Sequence, residues 1–151
     1  MPFLNDPSFM QAIIMDHYRY PHNKRTVEDE SYSKIHMDSD SCVDDIYVYL
    51  KVEGNIVKDV AFDGIACTIA TSSTSIMTDL VIGKTIEESR EIIKNYLAMI
   101  NHEEYDEELL EEANVFQNTY KQANRIKCAT IGYNGLLELL DSLKAGESYV
   151  K

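Results

Sequence analysis

Apolar positions first settle into a pattern at Met10, Ile13, Ile14 and His17, the i, i+3, i+4, i+7 spacing of one helical face. Asp6 can cap that helix, Pro7 sits in a first turn where a missing N–H costs nothing, and Pro21 lies just past the end. A polar stretch from His22 to Glu30 leads to Tyr32–Met37, a weak strand candidate, and then to an acidic loop, Asp38 to Asp40. From Ile46 the period changes to two. Ile46, Val48, Leu50 and Val52 face one way, and Tyr47, Tyr49 and Lys51 the other, which predicts a half-buried strand. Glu53-Gly54-Asn55 supplies a turn, Ile56 to Phe62 returns as the second arm of a hairpin, and Asp63-Gly64 is expected to end it.

The second half reads as helices. After Cys67 a run rich in hydroxyls, Thr68 and Thr71 to Ser75, continues into Ile76, Met77, Leu80 and Val81 and stops at Gly83. Its small side chains would let that helix press closely on neighbouring backbone. Thr85 and Glu88 form a capping box for a further helix with Ile92, Ile93, Tyr96, Leu97 and Ile100 inside. The acidic segment His102 to Glu112 is expected to be a solvated surface without a function of its own. A last helix is expected from about Cys128 to Lys144, with Ile131, Leu136, Leu139, Leu140 and Leu143 inside. Helix, short antiparallel sheet of about three strands, then several helices describes an α+β fold, read as a single domain over residues 1–151.

Composition narrows the partners. Fourteen basic against 26 acidic residues leave a formal charge of −12, which repels phosphate backbones and anionic lipid heads. Nucleic acid and membrane are not expected partners. The start of the chain lacks a basic region followed by an apolar stretch, and no run approaches the roughly 18 apolar residues of a bilayer span; a cytoplasmic location is expected. No G-x-S-x-G, P-loop or H-E-x-x-H pattern is present, so hydrolase and nucleotidase chemistry lacks its parts.

Three cysteines remain: Cys42 in a polar loop before a strand, Cys67 between a strand and a helix, and Cys128 at the expected head of the last helix. An odd count in a reducing compartment reads as unpaired thiols or metal ligands. Element ends are where side chains can converge, and a helix N-terminus favours a thiolate. In Cys42-Val43-Asp44 an extended backbone aims thiolate and carboxylate the same way, so Asp44 is the obvious fourth ligand for a tetrahedral ion held by three thiolates. With no C-x-x-C pair, spacing alone leaves both readings open: a shared metal, or buried and unrelated thiols. The four histidines, none beside a cysteine, add little.

Taken together, Ile14-Met15-Asp16-His17-Tyr18 with Pro21 and Asn23, Cys42-Val43-Asp44, Asp63-Gly64-Ile65-Ala66-Cys67-Thr68-Ile69-Ala70 with Met77, and Arg125-Ile126-Lys127-Cys128-Ala129 resemble the SufU/IscU/NifU N-terminal family of iron–sulfur biogenesis proteins. The resemblance spans nearly the whole chain. It is closer to the SufU branch: the interval from Cys67 to Cys128 is long, no Leu-Pro-Pro-Val-Lys motif precedes Cys128, and Lys127 stands where IscU proteins carry histidine. The resemblance implies a zinc-dependent sulfur acceptor that receives persulfide sulfur from a SufS-type cysteine desulfurase and passes it toward downstream iron–sulfur assembly proteins. It implies zinc ligands Cys42, Asp44, Cys67 and Cys128, with Cys42 the acceptor and Arg125 a contact for the desulfurase. An alternative within the same family is a scaffold that assembles a transient [2Fe–2S] cluster on these ligands. The chain departs from the family pattern at Val43, usually glycine, and at Tyr133, commonly tryptophan in SufU proteins. A β-branched residue resists positive φ, so a third reading is a zinc-stabilised adaptor whose Cys42 no longer accepts sulfur.

Overall fold

Asp6 caps the first helix as expected: its carboxylate accepts the Ser8 N–H at 2.9 Å, and α1 runs Pro7–Arg19 with Met10, Ile14 and His17 buried. The computed structural model describes residues 6–39 and 43–144. A three-stranded antiparallel meander follows, β1 Ser33–Asp38, β2 Asp45–Glu53 and β3 Ile56–Ile65, in the order β1-β2-β3. Among the described residues five α-helices complete the α+β fold, α2 Thr68–Val81, α3 Ile86–Ile100, the single turn α4 Glu107–Leu110 and α5 Ala123–Lys144 coming after the sheet. Two 3₁₀ turns, Glu111–Phe116 and Thr119–Lys121, lie between α4 and α5. Among the described residues no helix is long and apolar enough to cross a membrane.

The period-two reading of β2 holds for Ile46, Val48 and Leu50, fully buried on the face that α5 covers, while Val52, past a register shift at Lys51, is only half-buried. The outer face is less exposed than alternation suggests. Tyr49 is buried as well, because the polar segment after α1 folds back over the sheet. There Tyr32 donates to Asp59 at 2.5 Å, and Arg25 and Thr26 bond Asp59 and Asp63. Backbone bonds from Arg25 N–H to Phe62 O at 2.8 Å and from Phe62 N–H to Asn23 O at 3.1 Å seal the segment onto the free edge of β3. At the other end of β3, Val57 N–H donates to Lys84 O at 2.8 Å. Periodicity within a strand carries no signal for a loop arriving from elsewhere.

The helices follow their caps and their small residues. Thr85 and Glu88 form the expected reciprocal box at 2.9 and 3.0 Å. Ser72, Ser73, Thr74 and Ser75 are fully buried on α2, and α5 meets them at Gly132, where a Cβ would lie 2.8 Å from Thr74 Cγ2. Tyr133, on the next position of α5, stacks on Tyr96 of α3 with centroids 3.6 Å apart and planes 4° from parallel.

Two boundaries differ from expectation. Asp63 and Gly64 do not end the hairpin; β3 carries them to Ile65, paired with Asp45. The last helix starts at Ala123, which puts Cys128 inside it. The acidic segment is also less idle than expected, since Glu112 reaches back to His17 at 2.9 Å.

Candidate metal centre

Gly64 governs how closely the sheet brings its two site-bearing ends together. Its φ of +124° is reserved in practice for glycine, and a Cβ there would fall 2.9 Å from Ile46 Cα and closer still to the Asp45 carbonyl oxygen. The end of β3 therefore lies directly against the start of β2. Asp44 precedes β2 and Cys67 follows β3, so this contact sets the distance between them.

Asp44 is 1% exposed, a burial that a carboxylate tolerates only with partners. Its Oδ1 accepts the Cys67 N–H at 2.8 Å, and Oδ2 lies 3.8 Å from Cys67 Sγ. Cys67 is the N-cap of α2, in extended conformation at φ −70° and ψ 176°, and its sulfur accepts the Ala70 N–H at 3.4 Å. The cysteine thus takes the place of a capping serine, with its sulfur at the positive end of the helix. Burial pushes the Cys67 thiol up, and the Asp44 carboxylate adds to this; the Ala70 amide and a bond with Cys128 pull the other way. Cys128 enters from α5 and is 1% exposed. Its turn is anchored by Tyr96, whose hydroxyl donates to the Ala129 carbonyl at 2.8 Å.

One carboxylate oxygen of Asp44 and the sulfurs of Cys67 and Cys128 all lie within 4.8 Å of one another. A tetrahedral zinc with Zn–S near 2.3 Å and Zn–O near 2.0 Å places sulfur and oxygen about 3.5 Å apart. The Cys67–Asp44 separation of 3.8 Å is close to that, and two soft sulfurs with one carboxylate suit a borderline ion. The residues fit zinc. Cys42 lies outside the described residues. Arg125 is exposed in the first turn of α5, three residues before Cys128 and so on a neighbouring part of the same helix face. Ile65 and Val43 are 69% and 66% exposed and flank Cys67 and Asp44 in the chain. The sequence reading does not single out Ile65, which lies past the expected hairpin end at Asp63-Gly64.

The double duty of Asp44 separates two variants. Asp44→Asn keeps an oxygen for the Cys67 amide but loses the anionic ligand, whereas Asp44→Ala also strands that partly buried N–H, at about 1 kcal/mol or more. In a competition titration the asparagine variant should hold zinc at least about tenfold more weakly than the parent. With zinc in excess it should melt close to the parent, with the alanine variant several degrees lower. Equal zinc affinity in all three proteins would assign the fourth position to another group.

The NifU-like N-terminal domain model matches residues 10–129. The zinc-dependent sulfurtransferase SufU of Bacillus subtilis is 35% identical over 133 residues, 87% of this chain and 89% of that protein. The iron–sulfur cluster assembly scaffold protein IscU of Streptococcus pyogenes is 32% identical over 130 residues, 85% and 80% of the two chains. Among solved structures, a candidate iron–sulfur cluster assembly scaffold protein for the SUF system from Fervidobacterium islandicum superposes with a TM-score of 0.75. It is 29% identical, and the match covers 85% of this chain and 93% of that one.

Proposed function

Because the chain belongs to the NifU-like N-terminal domain family of iron–sulfur cluster assembly proteins, we propose that it is a zinc-dependent sulfur acceptor serving a SufS-type cysteine desulfurase. The observation that carries this reading is the convergence of Asp44, Cys67 and Cys128 within 4.8 Å, beside a Cys42 only two positions from Asp44 in the chain. The similarity to SufU over most of both chains supports it.

Zinc, when bound, keeps its cysteine ligands deprotonated at neutral pH and ties their elements together. The chain's own groups prepare for that. Asp44 contributes a hard ligand while holding the Cys67 amide, and the α2 N-terminus faces the Cys67 sulfur with an N–H donor. In the transfer step the Cys42 thiolate attacks the outer sulfur of the desulfurase persulfide. A new S–S bond forms on Cys42 as the desulfurase S–S bond breaks, and the desulfurase cysteine leaves as a thiolate. Arg125 offers an exposed cation on a chain of net charge −12, suited to an acidic patch on the desulfurase.

Alanine release from cysteine tests the proposal. The desulfurase should turn over several-fold faster with this protein, and Cys42→Ser should remove the acceleration. Arg125→Ala should raise the concentration needed for half the effect by about tenfold, equivalent to 1.4 kcal/mol. If parent and Cys42→Ser proteins both leave the desulfurase at its own rate, sulfur acceptance is wrong and the adaptor reading replaces it. The scaffold reading is favoured by relatives such as the S. pyogenes IscU protein. Native mass spectrometry separates the two: one zinc per chain supports the acceptor, iron with acid-labile sulfide the scaffold.

A further inference from the structure

Well away from the cysteines, α1, the loop after it, the far half of α2 and the first 3₁₀ turn meet at a cleft of about 570 Å³. Its lining includes Asp16, His17, His22, Asp79, Glu111 and Glu112, and no lysine or arginine. We infer that His17, His22 and Asp79, with Glu112 completing the set, form a second metal site, for a divalent first-row transition ion. A ring nitrogen of each histidine and a carboxylate oxygen of Asp79 lie within 4.8 Å of one another. Asp79 is twelve residues along from Cys67, about 18 Å of helix, so the two sites share no ligand.

His17 is the fixed member. It is 3% exposed, with Nδ1 2.7 Å from Ser75 Oγ and Nε2 2.9 Å from Glu112 Oε1. Ser75, fully buried, also accepts the His22 backbone N–H at 2.8 Å, so one hydroxyl sets both the imidazole and the start of the loop that carries the second. The His22 ring lies 4.6 Å from the His17 ring, and its Nδ1 is 2.6 Å from Asp79 Oδ2. With an ion on Nε2, His17 keeps its proton on Nδ1 and donates it to Ser75, the outer-shell bond that orients most metal-binding histidines.

The plain alternative is a pair of histidine–carboxylate hydrogen bonds holding α1 against α2. That accounts for each pair alone, but it leaves four carboxylates at one cleft with two imidazoles, neutral unless protonated, as the only counterweight among its lining residues. A divalent cation supplies the missing charge. Two imidazoles exclude magnesium and calcium, which take oxygen ligands, and suit zinc, cobalt, nickel or ferrous iron.

Cobalt titrated into untagged protein already carrying one equivalent of zinc tests the inference. A second equivalent should bind at micromolar concentration without the intense near-ultraviolet thiolate-to-cobalt absorption, since no sulfur is involved. His22→Asn and Asp79→Asn should each weaken that equivalent at least about tenfold and leave the zinc equivalent in place. Both side chains are nearly half exposed, so neither change threatens the core, and circular dichroism checks it. A stoichiometry that stays at one, or a second equivalent that survives in the double variant, overturns the second site. Failure of the cysteine centre would look different, as loss of the first zinc with the second equivalent unaffected.

Discussion

Replacing Gly64 with valine should lower the melting temperature by about 10 °C and loosen zinc at the same time. Two costs add. A side chain at φ +124° is strained by about 1–3 kcal/mol. The new Cβ also meets backbone rather than a side chain that could swing away, since its neighbours are the Asp45 carbonyl and Ile46 Cα, a further 1–3 kcal/mol or so. At roughly 2–4 °C per kcal/mol for a chain of this size, the sum reaches the stated shift. Relief can come only by moving β3 off the start of β2, which parts Cys67 from Asp44. Thermal melting with and without added zinc reads both effects. A valine variant that melts within about 3 °C of the parent would show that the strand ends are not held as closely as Gly64 implies.

Metal removal is the other large effect. The three candidate ligands that the structure describes come from the start of β2, the start of α2 and the second turn of α5, so an ion bound to them would link elements far apart in the chain. An ion present at a thousandfold its dissociation constant stabilises the folded form by about 4 kcal/mol, and a strong chelator should therefore lower the melting temperature by about 10 °C. Re-addition of zinc should restore it. A stripped protein that melts within about 2 °C of the zinc form would remove the support for a shared site.

What could be read in the sequence was local. The cap at Asp6, the Thr85–Glu88 box, the alternation of β2 and the small-residue face of α2 are all written within a few neighbouring positions, and each element formed where its pattern lay. The Cys67 thiol stands out for the same reason, as a residue at an element end, and Asp44 for its place two positions after Cys42. Cys128 was chosen with them but on a mistaken boundary: Ala123 to Lys127 carries little apolar signal, yet the helix begins there. What could not be read was long-range. The burial of Tyr49 depends on a loop that starts more than twenty residues earlier, and the His17–Ser75–Glu112 contacts join three segments whose only shared signal is their position in the fold. His17 looked like an ordinary inward residue of an amphipathic helix because that is all the first helix records.

The treatment of the sheet's edges bears on how the protein behaves when concentrated. Unpaired strand edges are templates for adding further strands, and a three-stranded meander has two of them. Here β3 is closed by backbone bonds to Asn23, Arg25 and Lys84 along its outer side. The remaining edge, β1, is only six residues long, and Lys34, His36 and Asp38 are its exposed side chains. Growth of a fibre by edge-to-edge pairing would have to begin at that short, charged strand, against the mutual repulsion of chains carrying a formal charge of −12. The loop that buries Tyr49 therefore also guards colloidal stability, and changes at Asn23 to Thr26 should be felt first as aggregation of the folded protein.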